Sequence, residues 1–275
     1  MATPRRRTTR KSRVNISWND RICNLVPSRD TQRDWSYQHA LQAGMLTALS
    51  LPTSVDLRKP WWRVGDQGKT GSCTGWAAAD GVLRYQLVLA GRLPQDKRLS
   101  QRFVWMASKE TDEFVDRPET FIERAGTSLK SVVDILRKYG CPLEDELPLH
   151  LTDTMYANEP NLLFASAAKQ KCTSYVNLGK NLDAWKNWIA NVGPILAGLR
   201  VDATWLNATA SEGNLDTFNE STVDGSHAVS VVGYKGDRFI IRNSWGDAWG
   251  DRGFAYASSA YIRDAFFGES YGLNL

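Results

Sequence analysis

A cysteine, a histidine, an asparagine and a glutamine carry the chemistry this sequence could perform. Cys73 stands in "GDQGKTGSCTGW" (65–76), between a glycine-rich loop and an alanine-rich run. Only the thiolate of a cysteine is a good nucleophile, and a helix N-terminus or a neighbouring imidazolium favours it. Position 73 offers the first device. From Cys73 to about Ala90 the residues Trp76, Ala79, Leu83 and Leu87 recur at helical steps, and Gly91 is the expected stop. Gly71 and Gly75 would keep the approach to the sulfur open. The segment alone fits a core cysteine at a helix start equally well.

The second device needs one of three histidines. His39 lies near the N-terminus and His150 follows Leu147-Pro148-Leu149 with no partner in sequence; each reads as a surface or satisfied histidine. His227 is different, because it opens the apolar run "HAVSVVGY". A turn at Lys235-Gly236-Asp237 joins this run to "RFIIRNSW", and a hairpin centred on residue 235 sets 227 opposite 243. Opposed side chains on one face stand ~5 Å apart at Cβ. Residue 243 is Asn, whose amide oxygen could accept from a ring N–H, fix the tautomer and leave the other nitrogen for the sulfur. A one-residue slip in register would undo the pair, and two unrelated polar residues on a hairpin remain the alternative. Acyl transfer also needs donors for an oxyanion. The Cys73 backbone N–H is one, and the amide of Gln67, six residues earlier, is the second.

Positioning these groups takes helices first and strands second. Beyond the Cys73 helix, "LSQRFVWMASKE" and Ser128–Tyr139 read as helices, the latter with a stripe of Leu129, Val132, Val133 and Leu136, a Thr127 or Ser128 cap and a Gly140 stop. A short helix is expected within "WSYQHALQAGMLTAL", and another at "NLDAWKNWIANVG"; "ETDEFVDRPETFIERAG" reads as irregular. The runs "PILAGLRV", "HAVSVVGYK", "RFIIRNSW" and "GFAYAS" read as strands. Helices followed by antiparallel strands give an α+β fold of two subdomains, about 60–155 and 156–275, meeting at a cleft.

Composition narrows the function. The 275 residues allow a sizeable core, and 42% hydrophobic with 23% charged residues is ordinary for a globular chain. The net charge of +4 is concentrated in residues 1–13, which hold Arg5, Arg6, Arg7, Arg10, Lys11 and Arg13; without them the balance turns slightly acidic. No nucleic-acid groove is therefore expected in the folded part. The basic tail could meet a nucleic acid or an anionic membrane, or could simply be solvated. Cys23, Cys73, Cys141 and Cys172 lack metal-ligand spacing, and no metal or cofactor is expected. The start shows no secretory signal and no run reaches the ~20 apolar residues of a membrane span. A cytoplasmic place with reduced thiols is the default, with signal-independent export and one disulfide among Cys23, Cys141 and Cys172 left open.

With these residues in hand, the sequence resembles the papain-like cysteine peptidases over roughly residues 51–275. The Gln67-x5-Cys73 spacing, "SHAV-x-VVGY" (226–234) and "RNSWGDAWGDRGF" (242–254) carry the resemblance, "LPTSVDLR" looks like the family's mature start and "LSQRFVWM" like its second helix. The loop "QG-x-x-GSCT", without the cysteine that forms a disulfide in plant and lysosomal members, is similar to a bacterial-type branch, as loosely is "LVPSRDTQRDWSY". The resemblance implies a two-subdomain fold with a helical left half and a β-barrel-like right half. It implies that Asn243 orients His227 and Trp245 shields their hydrogen bond. "AGTSLKSVVDILRKYG" resembles the segment that pairs with bound peptide, so Gly126 and Thr127 would offer main-chain groups, and Ser128 and Leu129 would line the main pocket with Ala197 or Gly198 opposite.

The expected function is thiol endopeptidase through an acyl-enzyme. A transferase or ligase on the same site and a silent peptide-binding module are the alternatives. The partner is a peptide or protein substrate. Residues 14–50 are expected to pack on the catalytic part and partly occlude the cleft.

Overall fold

The computed structural model of the protein describes residues 20–44, 46, 50–111, 126–149 and 160–275. The basic tail, His150 and most of the stretch read as irregular lie outside the described residues. The short helix near the start is α1 (Tyr37–Gln42), and the capping box between Ser36 and His39 sets its first turn. His39 thus has a local structural use. Strand β1 (Ser54–Asp56) follows. The Cys73 helix is continuous but not uniform: α2 (Cys73–Gly75) runs into a wider π-type stretch (Trp76–Leu83) and then α3 (Arg84–Leu89). π-type turns inside helices occur frequently at functional sites. Helix α4 (Gln101–Thr111) and α5 (Leu129–Lys138) match the next two expected helices. The Ser128 side chain accepts from Ser131 N–H as the α5 cap, and Gly140, at φ 87°, follows its end.

Helix α6 (Pro160–Ala167) precedes β2 (Ser174–Asn177), and neither is visible as a periodic pattern. Helix α7 (Leu182–Asn191) starts on an Asn181 cap. Then come β3 (Ile195–Val201), α8 (Ala203–Leu206), β4 (Asn214–Leu215), β5 (Gly225–Lys235), β6 (Arg238–Arg242), β7 (Phe254–Ser258), α9 (Ser259–Ala265) and β8 (Phe266–Asn274). Among the described residues the strands form one sheet in the order β2-β8-β3-β5-β6-β7-β4, with β1 also pairing β5. All pairs are antiparallel except β4 with β7. The sheet is therefore mixed and open, not barrel-like as expected. Its end strands β2 and β4 do not pair, β4 being two residues long.

Two large apolar clusters flank the site. Val82, Leu83, Phe103, Leu129, Val132 and Leu136 pack between the helices, whereas Trp185, Trp188, Val229, Val231, Phe239 and Ile241 pack on the sheet under α7. Cys73 lies at the edge of the first, and Trp205, Trp245 and Trp249 belong to the second. Asp80 fastens the two sides. It is fully buried in the Cys73 helix and binds Arg84 at 2.9 Å and Arg242, on β6, at 2.5 Å. The Arg242 guanidinium also lies over Trp62 and donates to the Arg63 carbonyl.

Candidate active site

The hairpin that carries the histidine differs in register from the expectation. Lys235 pairs with Arg238 across a Gly236-Asp237 turn, the register shifts between Val231 and Gly233, and the β5–β6 ladder stops at Ser230 and Arg242. The turn centre and the shift move Asn243 away from the position opposite His227, which pairs instead with Leu199 on β3. Asn243 nevertheless reaches the ring from beyond the end of β6. His227 Nε2 donates to Asn243 Oδ1 at 2.8 Å, and that oxygen also accepts from Ser244 N–H at 2.8 Å. With Nε2 engaged in this way, Nδ1 is the free nitrogen, and it has no hydrogen-bond partner. Trp245 lies 5.2 Å from the imidazole, centroid to centroid, and covers it together with Trp205, whose ring meets it edge-on at 5.7 Å.

Trp205 was not singled out by the sequence. It sits on α8, and its indole N–H donates to Tyr261, which in turn donates to Asp202. Nothing in "VDATWLNATA" marks such a residue, because its partner Tyr261 is 56 positions away.

Cys73 lies at the start of its helix, and the Ala228 N–H points at its sulfur, one residue past His227. Just before the helix, the Thr70 hydroxyl donates to the Gln67 carbonyl and lies 2.7 Å from Ser72 Oγ. Gly75 does not keep an approach open, contrary to the expectation. A Cβ there would stand 2.2 Å from the Gln101 carbonyl oxygen, so its lack of a side chain lets α2 pack against α4. Gly71 is also buried. Gln67 is held at both ends of its amide: Ser244 Oγ donates to Oε1 at 2.7 Å, while Nε2 donates to the Thr70 carbonyl at 2.9 Å and the Ile22 carbonyl at 3.3 Å. Ser244 is a second residue the sequence reading passed over, although it lies inside the quoted "RNSWGDAWGDRGF".

The Ile22 carbonyl belongs to a segment laid across the whole arrangement. Arg21 pairs with Asp66 and donates to the carbonyls of Gly68 and Trp245. The Cys23 carbonyl accepts from Ser226 N–H at 3.2 Å, Leu25 N–H donates to the Ser226 carbonyl at 2.9 Å, and Val26 N–H donates to the Thr127 carbonyl at 3.3 Å. Asn24 O comes where a Gly126 Cβ would be, at 1.7 Å. Thus Gly126 and Thr127 receive backbone from this chain itself. Leu25 is buried, its Cδ2 2.8 Å from where Gly198 would carry a Cβ. Gly198 rather than Ala197 faces this space, since Ala197 packs in the sheet-side core. Leu129 shares the helix-side cluster with Leu25, and Ser128 is spent on the α5 cap. Further along, Ser28 N–H donates to Glu269, Lys130 pairs with Asp34, and the Trp35 carbonyl accepts from Asn177 N–H.

The cover adds to the burial of the pair. Cys73, His227 and Gln67 are each 0% exposed. Burial pushes the Cys73 thiol up to about 11, although the N–H groups of Ala228, Thr74 and Cys73 itself favour the thiolate. Burial takes His227 down to about 4, with the Asn243 bond opposing and the Arg21 charge adding to the fall. Burial of both groups thus works toward the neutral thiol and the neutral imidazole, against the thiolate–imidazolium pair that the helix start and the ring would favour in an open cleft.

The comparisons with known proteins bear on this geometry. The description "Papain family cysteine protease" matches residues 51–263. The chain belongs to the papain family of cysteine proteases. Mouse cathepsin K is 29% identical over 240 residues, covering 84% of this chain and 65% of the relative, and cathepsin B-like CP3 of Giardia intestinalis is 26% identical over 246 residues, covering 84% and 76%. The chain thus spans about two thirds of the length of the first of these. Xylellain, a cysteine protease from Xylella fastidiosa, superposes with a TM-score of 0.76 over 93% of this chain and 96% of its own, at 24% identity. The α+β fold is papain-like. Among the described residues no helix is long and apolar enough to cross a membrane, and no cluster of three or more His, Cys, Asp or Glu could hold a metal ion.

Proposed function

We propose that this chain hydrolyses peptide bonds with Cys73 as nucleophile, His227 as acid and base, Asn243 as the group that orients the ring, and Gln67 with the Cys73 N–H as oxyanion donors. The observation that supports this most directly is the Ile22 carbonyl on Gln67 Nε2. A peptide carbonyl already takes a hydrogen bond from the amide assigned to polarise the scissile one. In an open cleft, His227 Nδ1 takes the Cys73 proton while Asn243 keeps Nε2–H oriented. The thiolate adds to the substrate carbonyl, and the oxygen gathers charge against donors that are already in place. The protonated ring then gives its proton to the leaving amine, and the acyl-enzyme forms. Water, deprotonated by the same ring, releases the acid. Trp245 and Trp205 keep bulk water off the Nε2–Oδ1 bond, which would otherwise weaken by competition.

Substrate backbone would replace that of Cys23–Val26 on Ser226 and Thr127, beside Gly126. A branched aliphatic side chain would replace Leu25 in the space bounded by Leu129 and Gly198. Residues 20–44 then act as a self-ligand that keeps the site closed. The test is peptide-library cleavage by the wild type and Cys73→Ala, with labelling by a thiol-directed epoxide. Cleavage and labelling should both vanish in Cys73→Ala; full cleavage by that variant would remove the assignment. Mass analysis of products formed with and without added amine should show free acids as the main products. Predominant amides would favour transfer over hydrolysis.

A further inference from the structure

Cys23 takes no part in that mechanism, yet it is the residue of the covering segment set between the halves of the site. On one side the peptide group that joins it to Ile22 meets Gln67 Nε2 at 3.3 Å. On the other side its carbonyl accepts from Ser226 N–H at 3.2 Å. Gly225 admits it, since a Cβ there would lie 2.1 Å from the Cys23 oxygen and 3.1 Å from its Cβ.

The β5 strand sets Cys23 and Cys73 along one edge. Its pairing with β6 ends at Ser230, which leaves the same edge open toward Gly225. N–H groups two residues apart point to the same edge of a strand and stand about 7 Å apart. On this edge the Ser226 N–H holds the Cys23 carbonyl, and the Ala228 N–H points at the Cys73 sulfur. The Cys23 carbonyl and the Cys73 sulfur are thus held one strand repeat apart along β5, and closing a disulfide, whose Cα atoms lie about 5.5–6 Å apart, takes a shift of the covering segment. Both thiols are free, Cys23 half-buried and Cys73 covered. Negative charge on Cys73 raises the Cys23 thiol further, after burial has already raised it, so each sulfur lies within the other's field.

We propose that Cys23 and Cys73 are a dithiol site that reacts with small-molecule disulfides, closing to a protein disulfide that fixes the covering segment over the nucleophile. This rests on the reading of Cys73 as the nucleophile. The more accessible Cys23 loses its proton and attacks a small disulfide, forming a mixed disulfide and releasing one small thiolate, which takes up a proton. Cys73 passes its proton to His227 Nδ1 and attacks the Cys23 sulfur. The sulfur–sulfur bond forms between the cysteines, and the second small thiolate leaves and takes the proton from the ring. Two protein thiols are oxidised and one small disulfide is reduced to two thiols. An external thiol reverses both exchanges, so opening of the cleft depends on reduction as well as on movement of the segment.

The test uses the full chain treated with oxidised glutathione, alkylated and digested with trypsin without reduction. Cleavage after Arg21, Arg29, Lys69 and Arg84 places Cys23 in peptide 22–29 and Cys73 in peptide 70–84. The expected result is a linked 22–29/70–84 species, with peptidase activity falling in proportion to the linked fraction and returning with dithiothreitol. Cys23→Ser should yield no such species, and its Cys73 should instead carry glutathione or stay free. Recovery of Cys23 and Cys73 as separate alkylated or glutathionylated peptides would overturn the proposal. So would a Cys23→Ser protein that loses and regains activity on the wild-type time course. A linked species with undiminished activity would keep the dithiol pair but remove Cys73 as the nucleophile.

Discussion

At the residue scale, Gln67 carries the sharpest energetic demand. It is fully buried, and its amide is oriented only because Ser244 Oγ donates to one end while the other donates to carbonyls. Removing one oxyanion donor costs about 10²–10³ in kcat. In its proposed oxyanion role, Gln67→Ala should lower kcat by about that factor with little change in KM, measured on a fluorogenic peptide. Ser244→Ala leaves the donor but frees its orientation, and should lower kcat by about tenfold, the loss of roughly one hydrogen bond's worth of energy. Equal losses of kcat and substrate affinity in both variants would point to general loosening rather than to the oxyanion. Cys73, His227, Asn243 and Gln67 could be picked out as candidates because their spacing and flanking glycines and tryptophans are local signals. The hairpin register was not, since a shift between Val231 and Gly233 depends on packing that no pattern in "HAVSVVGY" records. Trp205 was invisible for a similar reason: its role depends on Tyr261 and Trp245, which are brought to it only by the fold.

At the scale of elements, the site depends on how closely the Cys73 helix meets its two neighbours. Against α4 the limit is Gly75, where a methyl group would enter the Gln101 carbonyl. Overpacking of this kind costs about 1–3 kcal/mol or more when the obstacle is backbone. Gly75→Ala should lower the thermal midpoint and reduce activity together, read by calorimetry and peptide cleavage; an unchanged midpoint would show that the two helices separate freely. Against β6 the connection is ionic. Burial would raise the Asp80 carboxyl, but the guanidiniums of Arg242, Arg98 and Arg84 more than offset this and hold it below the usual carboxylate range. Asp80→Ala leaves Arg242 buried without its counter-charge, and removal of one partner of a buried pair costs about 3–5 kcal/mol. The expected loss in denaturant unfolding is of that order, and it should be larger than for Arg98→Ala, whose contact is 3.6 Å and partly exposed. Helices with a clear apolar stripe, such as α5, could be read from the sequence nearly to the residue. α6, α9 and β8 could not: α6 lacks a strong stripe, and β8 follows α9 directly, with no turn signal between Ala265 and Phe266.

At the scale of the whole molecule, the covering segment and the protonation of the site are coupled, since the segment supplies part of the burial and the Arg21 charge on His227. Burial, to which the segment adds its cover and the Arg21 charge, takes His227 to about 4, against about 6.5 for a free histidine. A depressed value means that this contribution to closure is full above about 6.5 and is lost as pH falls toward 4. Cys73 has the opposite sign. Its raised thiol, near 11, favours closure below the ordinary cysteine range and withdraws that support as pH rises through 11. Closure is thus most stable from about pH 6.5 to 8.5 and should loosen first on the acid side. The amides that report it are Leu25 and Val26, which donate to Ser226 and Thr127, and the reference is the β5–β6 ladder at Val231 and Ile241. Hydrogen exchange, corrected for its intrinsic pH dependence, should show protection at residues 25 and 26 falling between pH 7 and pH 4.5 while the ladder stays protected. A chain beginning at Leu51 lacks the cover, so it should cleave peptide faster at neutral pH, and its histidine should titrate closer to 6.5. If residues 25 and 26 are equally protected at both pH values, burial of His227 is not what couples the segment to the proton. If the shortened chain folds yet gains no activity, the segment lies over the cleft without closing it to substrate.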